Sequence, residues 1–528
     1  MLAAAALVLS RVVHTSTGPI DGLPVSNGVE KFLGVRFATP PLADLRFAPP
    51  VSHNWTGVVP ARAHGNCCVP GRPGGSSEGS EDCLFLDVYS PAKDMVEQEE
   101  SGRPIIVFFY GGSFLAGCIN DYDASNLSRM TGAIVILVNY RLSALGYLAL
   151  PELLDAGQST NVGLFDQQLG LSWARDSAAA FGGDPKKITI CGQSAGGAAV
   201  SFHLVMPSSR GLFQAAILMS PGGRKGWVED LKEDDNDALS TSELMFNAKQ
   251  LAVSRGCGAS KSAARVACMR NLSLDALLAE PFGRFAPGAD GVSVPSLPLD
   301  AIRSGHWASN ADVIIGSTSC EACAGEGMHV HPGPPRNVSA AEYYSALNQT
   351  FGPGRFLKPV DISPNEVDKW YAKYRARRGN WQTLTRIASD NSHACTAHFL
   401  AAALIATSKA AVRRYEFRAA GGHPGQLYPG AVHASELQYL FRSTPPYEPS
   451  HLSPAQDALA KHMQALWGSF ASGSLDDSAW PACKADGAHG ACDRVLLLDT
   501  PSATLGSEAD VDDGSAVLQC KHWEPFMT

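Results

Sequence analysis

The sequence contains no apolar run approaching the roughly 20 residues that a membrane-spanning helix needs. It also has no basic cluster, and its formal net charge is −9. That balance argues against nucleic acid or an anionic membrane surface as a partner. There is no internal repeat, so the chain is not a repeat array. Metal-ligand spacing is nearly absent too. Cys320 and Cys323 stand in a C-x-x-C arrangement, but no second pair accompanies them. A zinc reading is therefore set aside in favour of buried or locally paired thiols. His329 and His331 are read as loop residues on the same ground. No metal site and no organic cofactor are expected.

What is present suits a large globular protein. The 528 residues could hold two or three average domains, but large α/β enzymes often use this length for one body with insertions. Residues 11–528 are expected to form a single domain. Residues 2–10 resemble the apolar core of a signal peptide without a basic start or a clear cleavage site, so 1–10 are read as a remnant signal segment or a first strand. Thirteen cysteines favour an oxidising compartment. Five N-x-S/T sequons, at Asn54, Asn126, Asn271, Asn337 and Asn348, point the same way. The expectation is a glycoprotein, secreted or held in the secretory-pathway lumen.

Near-continuous apolar runs at 104–110 and 133–139 suit strands covered on both faces, as in a mostly parallel α/β sheet. Later strands are expected at 214–219, 312–316 and 412–417. A helix is expected over 165–176, and a buried one over Phe399 to Ala406. Long helical or loop-rich insertions fill 227–310 and 335–410, and the tail ends in a helix-like piece around Cys520.

The most informative stretch is 187–197. A short apolar run, Ile188 to Cys191, reads as a buried strand, and small residues after Ser194 read as the start of a helix. Between them stands Gly192-Gln193-Ser194-Ala195-Gly196. A strand that becomes a helix in so few residues needs glycine on both sides of the apex. The apex residue is then held in a strained conformation with its hydroxyl exposed. The helix N-terminus behind it favours developing negative charge. The alternative is a Gly-rich turn with a solvated serine.

Further segments carry a family resemblance. They are 81–88, the Tyr110-Gly111-Gly112-Ser113 turn, 139–146, 161–167 and 181–190. Together with the serine motif, they resemble the type-B carboxylesterase/cholinesterase family of α/β-hydrolases, from about Phe32 to Phe526. The resemblance implies an α/β-hydrolase fold: a large, mostly parallel central sheet flanked by helices, with long helical and loop insertions. It implies a serine carboxylic-ester hydrolase acting on a small-molecule ester.

The chemistry requires three partners. A serine hydroxyl is a poor nucleophile without a histidine base, and the base needs a carboxylate to fix its tautomer. Ser194 is the candidate nucleophile. His433, in Val432-His433-Ala434-Ser435-Glu436, matches the family's histidine segment. Glu321 lies just past the 312–316 strand, where the family's acid lies, although Ala322 follows where the family usually has glycine. The resemblance assigns the oxyanion hole to the backbone N–H groups of Gly112, Ser113 and Ala195. Ser113 replaces the third glycine of the family's turn.

The same carry-over pairs Cys68 with Cys83, Cys257 with Cys268, and Cys395 with Cys520. Cys483 and Cys492 could form a local fourth bridge. Cys67, Cys118, Cys191, Cys320 and Cys323 receive no partner. Arg46–Glu81 and Arg141–Asp166 are the family's structural ion pairs. Cholinesterases bind a quaternary ammonium on a tryptophan in the first disulfide loop, but residues 69–82 here contain no aromatic residue. A choline-ester specialist is therefore not expected. The alternatives are a lipase or a catalytically silent adhesion or binding member, of the kind that has lost a triad residue.

Overall fold

The computed structural model describes residues 11–71, 79–92, 102–222, 231, 242–258, 263–279, 284–323, 335–351, 362–419, 430–442, 452–484, 492–500, 503–506 and 516–524. The signal-like segment 1–10, His329 and His331 lie outside the described residues, as do residues 72–78 of the loop between Cys68 and Cys83.

The centre is an 11-stranded sheet. In chain order its strands are Leu23–Ser26 (β1), Val29–Arg36 (β2), Phe85–Pro91 (β3), Arg103–Phe109 (β4), Ile134–Val138 (β5), Gly183–Gln193 (β6) and Ala215–Met219 (β7). Asp312–Thr318 (β8), Val412–Phe417 (β9), Val495–Leu498 (β10) and Thr504–Gly506 (β11) complete it. The spatial order is β11-β10-β9-β8-β7-β6-β4-β5-β3-β2-β1. From β10 across to β5 neighbouring strands run parallel. The strands beyond β5 on one side and β11 on the other pair antiparallel.

The central strands are buried on both faces, and so their sequences do not alternate. Every residue of β5 and of β7 is buried. The expected runs at 104–110, 133–139, 214–219, 312–316 and 412–417 correspond to β4, β5, β7, β8 and β9. The strand before Ser194 is longer than its apolar run, because it begins at Gly183. The helix expected over 165–176 spans Val162–Ser177. The helix expected from Phe399 lies within Cys395–Thr407.

Two ion pairs brace the sheet. Arg141 clasps Asp166 through Nε at 2.8 Å and Nη2 at 2.7 Å, with both side chains buried. Arg46 donates to Glu81 and also to the carbonyls of Arg270 and Leu272, which ties an insertion to the body.

The structure joins Cys68 to Cys83, Cys257 to Cys268, Cys395 to Cys520 and Cys483 to Cys492. It also pairs four cysteines that sequence reasoning left unassigned, Cys67 with Cys118 and Cys320 with Cys323. Cys191 is the free thiol, buried within β6.

Candidate active site

Chain segments leaving the carboxyl ends of four adjacent parallel strands, β4, β6, β7 and β8, meet at one edge of the sheet. In open α/β sheets this edge is where ligands bind.

Ser194 joins β6 to the helix Ala195–Val205. Its backbone sits at φ 59°, ψ −122°, a region unfavourable for a residue with a side chain. The neighbourhood holds it there. Its N–H donates to the Met219 carbonyl at 2.9 Å. A side chain on Gly196 would collide with the carbonyl of Phe109, and one on Gly192 with the Gly196 backbone. These contacts explain the glycines of the motif. The helix then directs its positive end at Ser194.

The turn after β4 presses on the same point. A Cβ on Gly111 would lie 2.7 Å from the Gln193 carbonyl oxygen and 2.9 Å from Ser194 Cβ. Gly112 follows at φ 119° and Ser113 at φ 59°. Among the described residues, the backbone N–H groups of Gly112 and Ser113 have no acceptor. Ala195 opens its helix, where N–H groups have no intrahelical acceptor.

Glu321 lies just beyond β8 and is fully buried. Its Oε1 accepts from Ser220 Oγ at 2.6 Å and from the Thr318 N–H at 2.7 Å. Its Oε2 lies 2.5 Å from His433 Nδ1. The other ring nitrogen, Nε2, lies 3.2 Å from the Gln193 amide nitrogen. The structure thus links Glu321, His433 and Gln193 through polar contacts, with Ser194 next in the chain.

The carboxylesterase family model matches residues 9–501. The chain belongs to the carboxylesterase family. Fumonisin B1 esterase of Sphingopyxis macrogoltabida is 30% identical, over 97% of this chain and 90% of that protein. A cholinesterase of Mus musculus is 28% identical, over 98% and 87% respectively. A solved structure titled PNB esterase aligns with TM-score 0.73 at 26% identity, covering 95% of this chain and 98% of that one. The protein is a carboxylesterase with an α/β-hydrolase fold, and its family acts on small-molecule esters. Among the described residues, no helix is long and apolar enough to cross a membrane.

The electrostatics of this esterase's site rest on residues that sequence reasoning did not single out. Burial pushes the Glu321 carboxyl up, but the charge and hydrogen bond of His433, with smaller help from His393 and Ser220, bring it down to about 2. Glu436 is the opposite case. Burial, then the nearby Glu321 charge, push it up to about 8. His393 stacks on the His433 ring, and burial followed by the His433 charge pushes its imidazole down to about 3. Thus one carboxylate is held ionised beside His433, and another is kept protonated at neutral pH. Glu436 stands three residues after His433, so its proximity has a sequence signal. Ser220 directly follows β7 at the same sheet edge. His393 offers no signal: it arrives from a π-helical turn, Asp390–Ala394, far along the chain.

The zinc reading of Cys320 and Cys323 fails for a direct reason: the two sulfurs are bonded to each other.

Proposed function

We propose that Ser194, His433 and Glu321 form the catalytic triad of a serine esterase that works through an acyl-enzyme. The observation that carries this reading is the 2.5 Å contact between Glu321 Oε2 and His433 Nδ1, with the far side of the same ring at Gln193, beside the strained Ser194. Ser194 Oγ attacks the ester carbonyl while His433 Nε2 takes its proton. His433 returns that proton to the leaving alcohol. Glu321, held ionised, fixes the ring with Nδ1 protonated and stabilises the imidazolium. Water then attacks the acyl-enzyme by the same route and releases the acid.

The tetrahedral oxygen receives hydrogen bonds from the N–H groups of Gly112, Ser113 and Ala195. Such donors act most strongly when they are fixed before the charge develops. The free donors of the 112–113 turn and the packing of Gly111 on Ser194 support this assignment.

The reading extends to the compartment. Six disulfides in one chain favour folding in an oxidising lumen, and the protein takes a secretory route. Asn54, Asn271 and Asn337 are exposed and suited to N-glycosylation. Asn348 is exposed too, but Thr350 of its sequon is buried and donates to the Ala346 carbonyl at 2.9 Å. Asn126 is less so, because its Oδ1 accepts from Gln464 at 2.9 Å and Ser128 of its sequon is buried.

The test of the triad is a fluorophosphonate probe. It should label the wild-type protein, and the label should vanish in Ser194→Ala. Labelling that survives in Ser194→Ala overturns the assignment.

A further inference from the structure

Glu321 is bracketed by a disulfide. The sequence Cys320-Glu321-Ala322-Cys323 places the acid inside the three-residue span closed by the Cys320–Cys323 bond. The two sides of this turn are anchored differently. On the incoming side, β8 pairs with β7 and β9 in the sheet. Ser319 N–H donates to the Phe417 carbonyl at 2.9 Å, and Cys320 N–H to the Ala431 carbonyl at 2.9 Å. Cys320 also bridges to Val432, the neighbour of His433. One backbone bridge therefore registers the acid turn against the histidine loop.

On the outgoing side, among the described residues, the backbone of the buried Ala322 and Cys323 donates two hydrogen bonds. Ala322 N–H donates to Ser389 Oγ at 3.0 Å, and Cys323 N–H donates to the Cys320 carbonyl at 3.2 Å. The disulfide is the covalent link that returns this side to the sheet-anchored Cys320. A loop this short gains little from the restriction of the unfolded chain, in contrast to the Cys395–Cys520 loop of separation 125. Global stability is therefore a weak reason for the bond. Its location supplies a stronger one, since misplacing a catalytic group by about 1 Å can cost roughly 10²-fold in rate.

We propose that the Cys320–Cys323 disulfide is a positioning clamp for Glu321, and that its reduction by a dithiol lowers turnover while leaving the fold intact. This inference rests on the reading of Glu321 as the triad acid. Cys320 is partly exposed and Cys323 is fully buried, so the incoming thiolate attacks Cys320 Sγ and Cys323 is the first leaving group. The dithiol's second thiolate then displaces Cys320. Two protons end on the protein thiols, and the reductant departs as its cyclic disulfide. With the bond open, the Glu321 turn loosens and His433 loses its fixed partner. Among the described residues, Glu321, His393 and Glu436 are titratable groups around His433. Of these, Glu321 holds the imidazolium directly, so its displacement lowers the basicity of His433.

The experiment treats the folded full-length protein with dithiothreitol without denaturant, and follows kcat and KM on a chromogenic short-chain ester. The expected result is a tenfold to hundredfold loss of kcat with KM changed less than twofold. The acid limb of kcat/KM moves to lower pH, Tm is nearly unchanged, and oxidised glutathione restores activity. Differential alkylation should show that lost activity tracks the fraction of Cys320 and Cys323 reduced. The double variant Cys320→Ser, Cys323→Ser should show the lowered kcat from the start and lose nothing further with dithiothreitol. Wild-type kcat in that variant overturns the clamp, as does activity loss that tracks another disulfide. Glu321→Gln separates the two ideas. If it keeps full activity, the triad reading itself fails; if it is impaired while the double variant is not, only the clamp fails.

Discussion

The imidazole of His393 lies flat against that of His433, with 4.2 Å between ring centroids and 20° between their planes. Burial keeps His393 neutral, so it presents an aromatic face to His433 when His433 takes the serine proton. A cation over an aromatic face gains about 0.5–2 kcal/mol, or roughly two- to thirtyfold in an equilibrium. His393→Leu should therefore lower kcat within that range and move the acid limb of kcat/KM to lower pH. His393→Phe, which keeps a face but no ring nitrogen, should retain most of the activity. Equal loss in the two variants would show that the ring nitrogens matter instead.

Glu436 gives a prediction with a definite sign. Its carboxyl is raised to about 8 in the folded protein from 4.5. Between these values the unfolded chain releases a proton that the folded chain retains, so stability falls as pH rises through this window. Glu436→Gln removes that contribution. Relative to wild type, the variant should gain stability at pH 8 compared with pH 5, as read by urea midpoints. A difference independent of pH would contradict the raised value. Glu321 acts at the other end: its folded value of about 2 makes its contribution disappear as pH falls from 4.5 toward 2.

Ser113 tests the oxyanion hole. It is exposed, and its backbone lies at φ 59°. If it works through its N–H, Ser113→Ala should be mild, because the donor remains. Ser113→Gly should relax acceptance of bulky acyl groups, because it removes a Cβ beside the reacting carbonyl. Loss of one oxyanion donor typically costs about 10²–10³ in rate. A drop of that size in Ser113→Ala, with circular dichroism unchanged, would assign catalysis to the hydroxyl.

A fourth prediction concerns the alcohol side of the ester. The loop between Cys68 and Cys83 contains Arg72 and no aromatic residue. The chain therefore lacks a cation–π platform in that loop, worth about 0.5–2 kcal/mol elsewhere. Acetylcholine and a neutral alkyl acetate of equal size should be hydrolysed with similar kcat/KM. A strong preference for the choline ester would contradict this.

The parts of the molecule legible in the sequence were those written locally. The central strands announced themselves because burial on both faces leaves unbroken apolar runs, as in Ile134–Val138. Ser194 was legible because the strand-to-helix turn forces glycine at 192 and 196. His433 and Glu321 are proposed through resemblance and their places after particular strands, and the structure brings the two side chains within 2.5 Å. What stayed hidden depends on contacts between distant segments. Ser220 touches Glu321 across 101 residues, and His393 reaches His433 only through a π-helical turn. Cys67–Cys118 escaped because pairing follows the approach of backbones, which cysteine spacing does not encode, whereas the Cys320–Cys323 bond is the local pairing that the sequence left open beside buried free thiols.

The central claim is that Ser194 becomes acylated during turnover. The most direct measurement is rapid acid quenching of the protein with a p-nitrophenyl ester, followed by peptide mass spectrometry. The account predicts the mass of one acyl group on the peptide bearing Ser194, appearing within the burst of p-nitrophenol and absent in Ser194→Ala. A full burst with the acyl group on any other residue would contradict it.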